Sequence, residues 1–395
     1  MPRPSASSFA GTRLARARAP LRLGLAGGGT DLAAYAERFG GAVLNATIDR
    51  YAFASIAARM DDRLVFDAGD LDRSEVHVPA RRLPHSRLDL HRGVYERMMR
   101  QFHDGAPLAL TVATSVDAPL GSGLGSSSAL VVALVQAYAA FLGRTLTPRE
   151  AAVLACDIER RDLGLAGGRQ DQYAAAYGGL NMIRFPPRGD VVVDRLRVGP
   201  AVVRELEASL ALCFSGEARA SGRIIAEQAS NLDADRAALA AMHRLKDEVT
   251  DMRDALLDGD LAAFAAGLNR SWEAKKATAS GIVTPATEAL ERLARAAGAT
   301  AVKVSGAGGG GFVMCVVQPE RRARLITALQ AAGHPTYPVH LTEAGSEAWL
   351  LHRSAQVFPG PASPGPIDEP FRAPAAVPRP SHPVSAQQGR EAARV

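Results

Sequence analysis

Apolar positions along the chain switch between a two-residue and a 3.6-residue period, which predicts a mixed fold. Alternation over residues 21–25 and apolar runs at 42–48, 51–57 and 64–66 predict strands, with a helix at 32–38 between the first two. A helix over 92–102 and a strand over 108–114 come next, and a Gly/Ser loop then leads directly into an apolar helix over 126–142. Thr147-Pro148-Arg149-Glu150 places an N-cap, a proline at the first helical position and a glutamate three residues after the cap, so a helix should run to about residue 161. Glycines at 164–168 end it. After Gly178-Gly179, short strands extend to about 198. The pattern then turns helical, at 218–229, 235–257, 261–270 and 286–297; strands at 301–305 and 312–317 flank a glycine run, and a helix at 321–332 and a strand at 336–340 follow.

With 395 residues, two domains are expected, 18–198 and 199–355, in an α+β class. Residues 1–17 read as a flexible terminus, and Arg13, Arg16 and Arg18 at this amino end weakly imitate a transit peptide, with no apolar export core after them. Nine of the 25 residues from 359 to 383 are proline, so 356–395 reads as a disordered tail. A net charge of +5 without any Lys/Arg stripe interleaved with aromatics excludes nucleic acid as a partner. The longest apolar stretch, 129–142, is too short to cross a bilayer, so a soluble, cytoplasmic protein with no membrane partner is expected. Cys156, Cys213 and Cys315 form no Cys-x-x-Cys pair and fit apolar core positions.

Three glycine-rich loops carry the candidate chemistry. In the second, Gly121, Gly123, Leu124, Gly125, Ser126, Ser127 and Ser128 run into the start of an apolar helix. Glycines let backbone approach an oligophosphate, first-turn N–H groups face outward, and the helix dipole adds about half a positive charge. Serine hydroxyls can bond phosphate or ligate magnesium. No lysine follows, so this is not a Walker A loop. The third loop has a Gly-x-Gly-x-x-Gly at 306, 308 and 311, but an apolar strand follows where a dinucleotide fold needs a helix. It reads either as a hairpin or as backbone closing over phosphates or substrate. The first loop, 27–31, presents Thr30 and Asp31 at a helix start, where the carboxylate could serve the dipole or accept from two vicinal hydroxyls.

Residues 20–31 (PLRLGLAGGGTD), the Gly-Leu-Gly-Ser-Ser loop and Lys303-Val-Ser-Gly-Ala-Gly308 together resemble, in order, the three motifs of the GHMP small-molecule kinases. Residues 43–47, 158–164, 167–175 and 271–276 further resemble the D-glycero-D-manno-heptose 7-phosphate kinases within that superfamily. The likeness covers about residues 18–352. It implies a ribosomal-S5-like N-terminal domain, a ferredoxin-like C-terminal domain and a site in the cleft between them, using ATP and Mg2+. On the same grounds Ser127, with Ser126, would meet metal and phosphates beside Glu159, the second metal ligand. Asp171 would face the acceptor hydroxyl near Arg22, and Thr30 and Asp31 would bind sugar, with Gly306, Ala307 and Gly308 closing over it. Galactokinases carry Gly-Glu-His before Thr-Asp, whereas this chain has Gly28-Gly29, which argues against galactose and for a roomier pocket.

Phosphoryl transfer needs charge neutralisation and in-line positioning, hence two acidic residues with separate tasks. An anomeric hydroxyl is acidic enough for a weak base such as an aspartate to suffice. The substrate's own phosphate needs a dock, for which Arg161, Arg169, Lys275 and Lys276 are the candidates. The expected activity is therefore ATP-dependent phosphorylation of the anomeric hydroxyl of a small-molecule sugar phosphate, with heptose 7-phosphate leading. Alternatives are a fucose-like or octose phosphate substrate, and a non-catalytic sugar sensor on the same fold. A homo-oligomer is compatible with all of them.

Overall fold

The structure is a computed structural model that describes residues 13–119, 121–216 and 222–352. The expected proline-rich tail and residues 1–12 lie outside these. In chain order the elements are β1 (Arg13–Ala26), α1 (Ala33–Phe39), β2 (Gly41–Ala58), β3 (Leu64–Ala68), β4 (Arg73–His77), α2 (Asp89–Phe102), β5 (Leu110–Val116), α3 (Ser126–Phe141), α4 (Pro148–Asp157), α5 (Gln170–Tyr177), β6 (Leu180–Phe185) and β7 (Val192–Arg195). There follow α6 (Pro200–Ser209), β8 (Leu210–Phe214), α7 (Gly222–Ala234), α8 (Arg236–Asp258), α9 (Leu261–Lys276), α10 (Pro285–Ala296), β9 (Ala301–Val304), β10 (Phe312–Val316), α11 (Pro319–Ala331), β11 (Thr336–Pro338) and β12 (Glu347–His352).

The strands form two sheets, as the α+β class requires. The first has eight strands, β12-β1-β2-β5-β3-β4 with β6 and β7 attached to β2. Its only parallel pair is β3 with β5. β2 is one strand where the apolar pattern suggested two, because β6 pairs with its first half and β5 with its second. Asp49, Arg50 and Tyr51 interrupt the hydrophobic run where the pairing with β1 shifts register between Thr47 and Tyr51, yet the strand continues through them. Residues 13–17, expected to be flexible, are strand. Ala15, Ala17 and Ala19 point inward while Arg16 and Arg18 point out, so the arginines that suggested a loose basic terminus are one face of a period-2 strand. β12 closes the far edge of this sheet against β1, so the chain returns at its end to the layer where it began.

The second sheet is antiparallel in the order β11-β8-β10-β9, which is the split β-α-β order 4-1-3-2 of a ferredoxin-like unit. β8, α6, β4, α5 and β12 were not expected from the sequence. β8 is five apolar residues inside an Ala/Leu-rich stretch, where period alone does not separate strand from helix.

The core of the first layer centres on α3, buried on nearly its whole circumference against β1 and β2. Such a helix fixes the position of its own N-terminus, and the second glycine loop is attached there. The third loop packs directly on the second: Phe312 N–H donates to Ser122 O at 2.8 Å, and Ser305 Oγ donates to Gly123 O at 2.8 Å. Gly123 has φ +78°, and a Cβ there would stand 2.4 Å from Ser305 O.

Gly123→Ala should therefore cost stability twice, through left-handed backbone strain of about 1–2 kcal/mol and through displacement of the third loop. Gly189, with φ +95° and nothing within 4 Å of its Cβ position, isolates the first contribution. Denaturant unfolding should show a loss clearly larger for Gly123→Ala than for Gly189→Ala; equal losses would mean the loops do not pack as described.

Candidate active site

The second loop ends in an α3 whose N-cap is Gly125, left-handed at φ 73° and with no side-chain cap. An ordinary serine cap is therefore absent, and the first-turn N–H groups are left for a ligand. Gly121, Gly123, Gly125, Ser126, Ser127 and Ser128 line a cavity of about 380 Å³. Leu124 does not. Its side chain is fully buried in the core, and its carbonyl accepts from Arg22 N–H at 2.9 Å, so it anchors the loop rather than meeting a cofactor.

Arg22, on β1, is 4% exposed and reaches across this loop. Its Nη1 donates to Gly123 O at 2.6 Å, and its Nε and Nη2 lie 2.8 and 2.6 Å from Asp171 Oδ1. Asp171 Oδ2 accepts no hydrogen bond from any described residue and faces the cavity side, 3.4 Å from the Cβ position of Gly125. One carboxylate oxygen is thus pinned and the other is open.

Glu159 lies just past α4, where the helix widens into a π turn over Ile158–Asp162. The extra residue swings Ile158 and Glu159 inward while Arg161 and Asp162 stay outside, a local irregularity that the helical reading to 161 did not contain. Glu159 is 2% exposed, accepts from Ser128 Oγ at 2.9 and 3.1 Å and from the Gln172 amide, and has its nearest cation, Arg160, at 3.9 Å. Burial raises its pKa above the ordinary carboxylate value, against the charge of Arg160 and the Gln172 and Ser128 hydrogen bonds. Ser127, Glu159 and Asp171, expected to meet, all line the one cavity, although the serine that touches Glu159 is Ser128.

On the first loop the two expected sugar ligands part company. Thr30 is fully buried, its hydroxyl donating to Gly27 O and Ala42 O and accepting from Ala42 N–H, so it fastens the loop and does not reach the cavity. Asp31 does line it, 1% exposed, with Oδ1 accepting from Gly29 N–H and the Gln170 amide and Oδ2 from Gln170 N–H at 3.0 Å. Gly168 permits this, since a Cβ there would overlap Asp31. Arg160 clasps the adjoining rim, donating from Nε to Gly168 O and from Nη1 to Leu165 O and Ala166 O.

The third loop supplies the opposite wall through Gly306, Ala307 and Gly308. Behind it stand two buried lysines. Lys303 Nζ donates to Gly24 O and Leu25 O, and Lys275 Nζ to Gly28 O at 2.9 Å. Burial, then the neighbouring cations Lys275 and Arg22, bring Lys303 down to about 7. Burial brings Lys275 down to about 8, with Asp31 opposing and Arg22 adding. Of the four phosphate-docking candidates only Lys275 lines the cavity. Arg161 is 78% exposed and pairs with Asp157, Arg169 stacks on Phe185, and Lys276 pairs with Glu273 and Glu291. Gln170, Gln172 and Arg160 went unassigned in the sequence because a neutral amide or a loop-clasping arginine has no spacing signature.

Residues 89–179 match the GHMP kinases N terminal domain and residues 252–335 the GHMP kinases C terminal family. The chain is 37% identical to the D-glycero-alpha-D-manno-heptose 7-phosphate kinase of Campylobacter jejuni over 85% of its own length and 99% of that protein. The crystal structure of a D-glycero-D-manno-heptose 1-phosphate kinase from Bacteroides thetaiotaomicron superposes with TM-score 0.72 at 37% identity, covering 85% of this chain and 98% of that one. A putative sugar kinase from Campylobacter jejuni superposes with TM-score 0.71 at 35% identity, covering 86% and 98%.

The depressed Lys303 has a consequence for stability. An unfolded lysine keeps its proton to about pH 10.4, whereas the folded one releases it near 7. Between those values the unfolded state binds more protons, so this group makes stability rise with pH. Lys303→Met should flatten stability against pH between about 7 and 10, measured by denaturant unfolding at several pH values; an unchanged slope would assign Lys303 an ordinary protonation.

Proposed function

This chain belongs to the GHMP kinases, phosphotransferases with an alcohol group as acceptor, and we propose that it transfers the γ-phosphoryl group of ATP to the anomeric hydroxyl of D-glycero-D-manno-heptose 7-phosphate, giving the 1,7-bisphosphate. The observation that carries this reading is Asp171, one oxygen held by Arg22 and the other open to the cavity that the uncapped start of α3 also faces. The likeness to a heptose 7-phosphate kinase over nearly its whole length supports the substrate.

In this reading the ATP phosphates lie along residues 121–128, with N–H groups and serine hydroxyls as donors. Glu159 with Ser127 and Ser128 would hold Mg2+, which when bound neutralises charge on the transferred phosphoryl group. The fit rests on Glu159 itself, a buried carboxylate whose nearest cation is 3.9 Å away, so a dication would favour its ionised form. Few protein ligands suit magnesium, which keeps its bonds to water and phosphate. Asp171 Oδ2 accepts the hydrogen bond of the acceptor hydroxyl and takes its proton as the new P–O bond forms, while Arg22 fixes the carboxylate's orientation. Asp31 accepts from sugar hydroxyls. The 306–308 backbone covers the phosphates, and the layer of the eight-stranded sheet, residues 18–198 with β12 returned to it, acts as the ATP-binding domain while residues 199–346 act as the closing domain.

Phosphorus NMR with ATP and a panel of sugar phosphates should give a new anomeric phosphate signal with the heptose 7-phosphate; no such signal across the panel would reject the activity. Asp171→Asn should lower kcat by about 10²–10⁴ while the ATP KM stays within about twofold. Undiminished turnover would remove Asp171 from the mechanism.

A further inference from the structure

Three cations line the cavity among the described residues: Arg22, Arg160 and Lys275. Arg22 is engaged with Asp171 and Gly123 O, and Arg160 with the carbonyls of 165, 166 and 168. Lys275 is different. It is 3% exposed, forms no ion pair with any described residue, and gives one of its three N–H donors to Gly28 O. A buried ammonium with no described ion-pair partner within 4 Å, Asp31 acting on it only from further away, is costly to keep charged. Its neighbour Gln228, 2% exposed and also on the cavity wall, gives one amide N–H to Thr278 Oγ1 at 2.7 Å and keeps the other. Both groups converge beside Gly29: Lys275 Nζ and Gln228 Nε2 lie 3.4 and 3.6 Å from the Cβ position there.

We propose that Lys275, assisted by the Gln228 carboxamide, is the dock for the phosphate that the acceptor sugar already carries; the assignment rests on the sugar-phosphate reading above. A hydroxyl could satisfy the spare donors, but Asp31 is bonded to Gly29 and Gln170 rather than to Lys275, and an anion would supply the direct ion pair that is lacking; a phosphate monoester brings about −1.5 to −2. The nucleotide's phosphates are not that anion, because they belong to the 121–128 loop, whereas Lys275 and Gln228 stand against Gly28 and Gly29, next to Asp31. The glycines at 28 and 29 keep side chains out of this end. The acceptor is thereby held at its far phosphate by Lys275, along its hydroxyls by Asp31 and at its anomeric oxygen by Asp171.

The test compares kcat/KM for heptose 7-phosphate and unphosphorylated heptose in wild type, Lys275→Met, Lys275→Arg and Gln228→Leu. Wild type should prefer the phosphorylated sugar. Lys275→Met should cut that preference at least about tenfold with the ATP KM nearly unchanged, Lys275→Arg should keep part of it, and Gln228→Leu, which leaves the charge in place, should lower it by a smaller factor. Arg161→Gln, on the exposed surface, should change nothing. Inorganic phosphate should compete with the sugar phosphate in wild type. A preference that survives Lys275→Met, or inorganic phosphate competing with ATP alone, would overturn the assignment while leaving the activity standing. A wild type indifferent to the sugar's phosphate would overturn the sugar-phosphate reading and the assignment together.

Discussion

Arg22 is the tie on which the site depends. From the buried end of β1 it bonds the carboxylate of Asp171 on α5, the carbonyl of Gly123 in the second loop and, through its own backbone N–H, the carbonyl of Leu124. A guanidinium can do this because its donors diverge in one plane, and removing it would leave the Asp171 carboxylate without a partner among the described residues in a partly dry environment. Three segments far apart in the chain are therefore held in register by one side chain. Lysine, with a single nitrogen, could not reproduce that geometry.

Around this tie the charges are arranged by burial. Burial lowers the pKa of both Lys275 and Lys303, the charge of Arg22 adds to each and that of Lys275 adds to Lys303, while Asp31 counters the lowering of Lys275. Asp31 in turn is occupied by Gln170 and Gly29. Three cations and three carboxylates line this cavity among the described residues, and the uncapped helix start adds a local positive field to one wall. Glu159 is kept among the neutral donors Ser128 and Gln172, with Arg160 3.9 Å away.

Much of this was legible in the sequence. The glycine loops, the strand before each and the helix after the second are local signals, set by which residues tolerate left-handed backbone and by hydrophobic period. Arg22, Asp31, Glu159 and Asp171 were named from motifs, and all four line the cavity. What failed locally failed for definable reasons. The π turn after α4 depends on packing of Ile158 and Glu159, not on composition. The Arg/Ala alternation of β1 reads as strand only when β2 and β12 flank it.

The sequence by itself determined the order of the elements with a clear hydrophobic period, though not β4, α5, α6, β8 or β12, together with the glycine-rich loops and the residue types able to handle phosphate. Which hydroxyl meets Glu159, why Thr30 turns away while Asp31 faces in, and which of four cations is left unpaired in the cavity were decided by the tertiary structure alone. Those outcomes are settled by which hydrogen-bond partners a fold brings within about 3 Å, and pairs such as Ser128 with Glu159, 31 residues apart, or Lys275 with Gly28, 247 apart, leave no periodic trace in the chain.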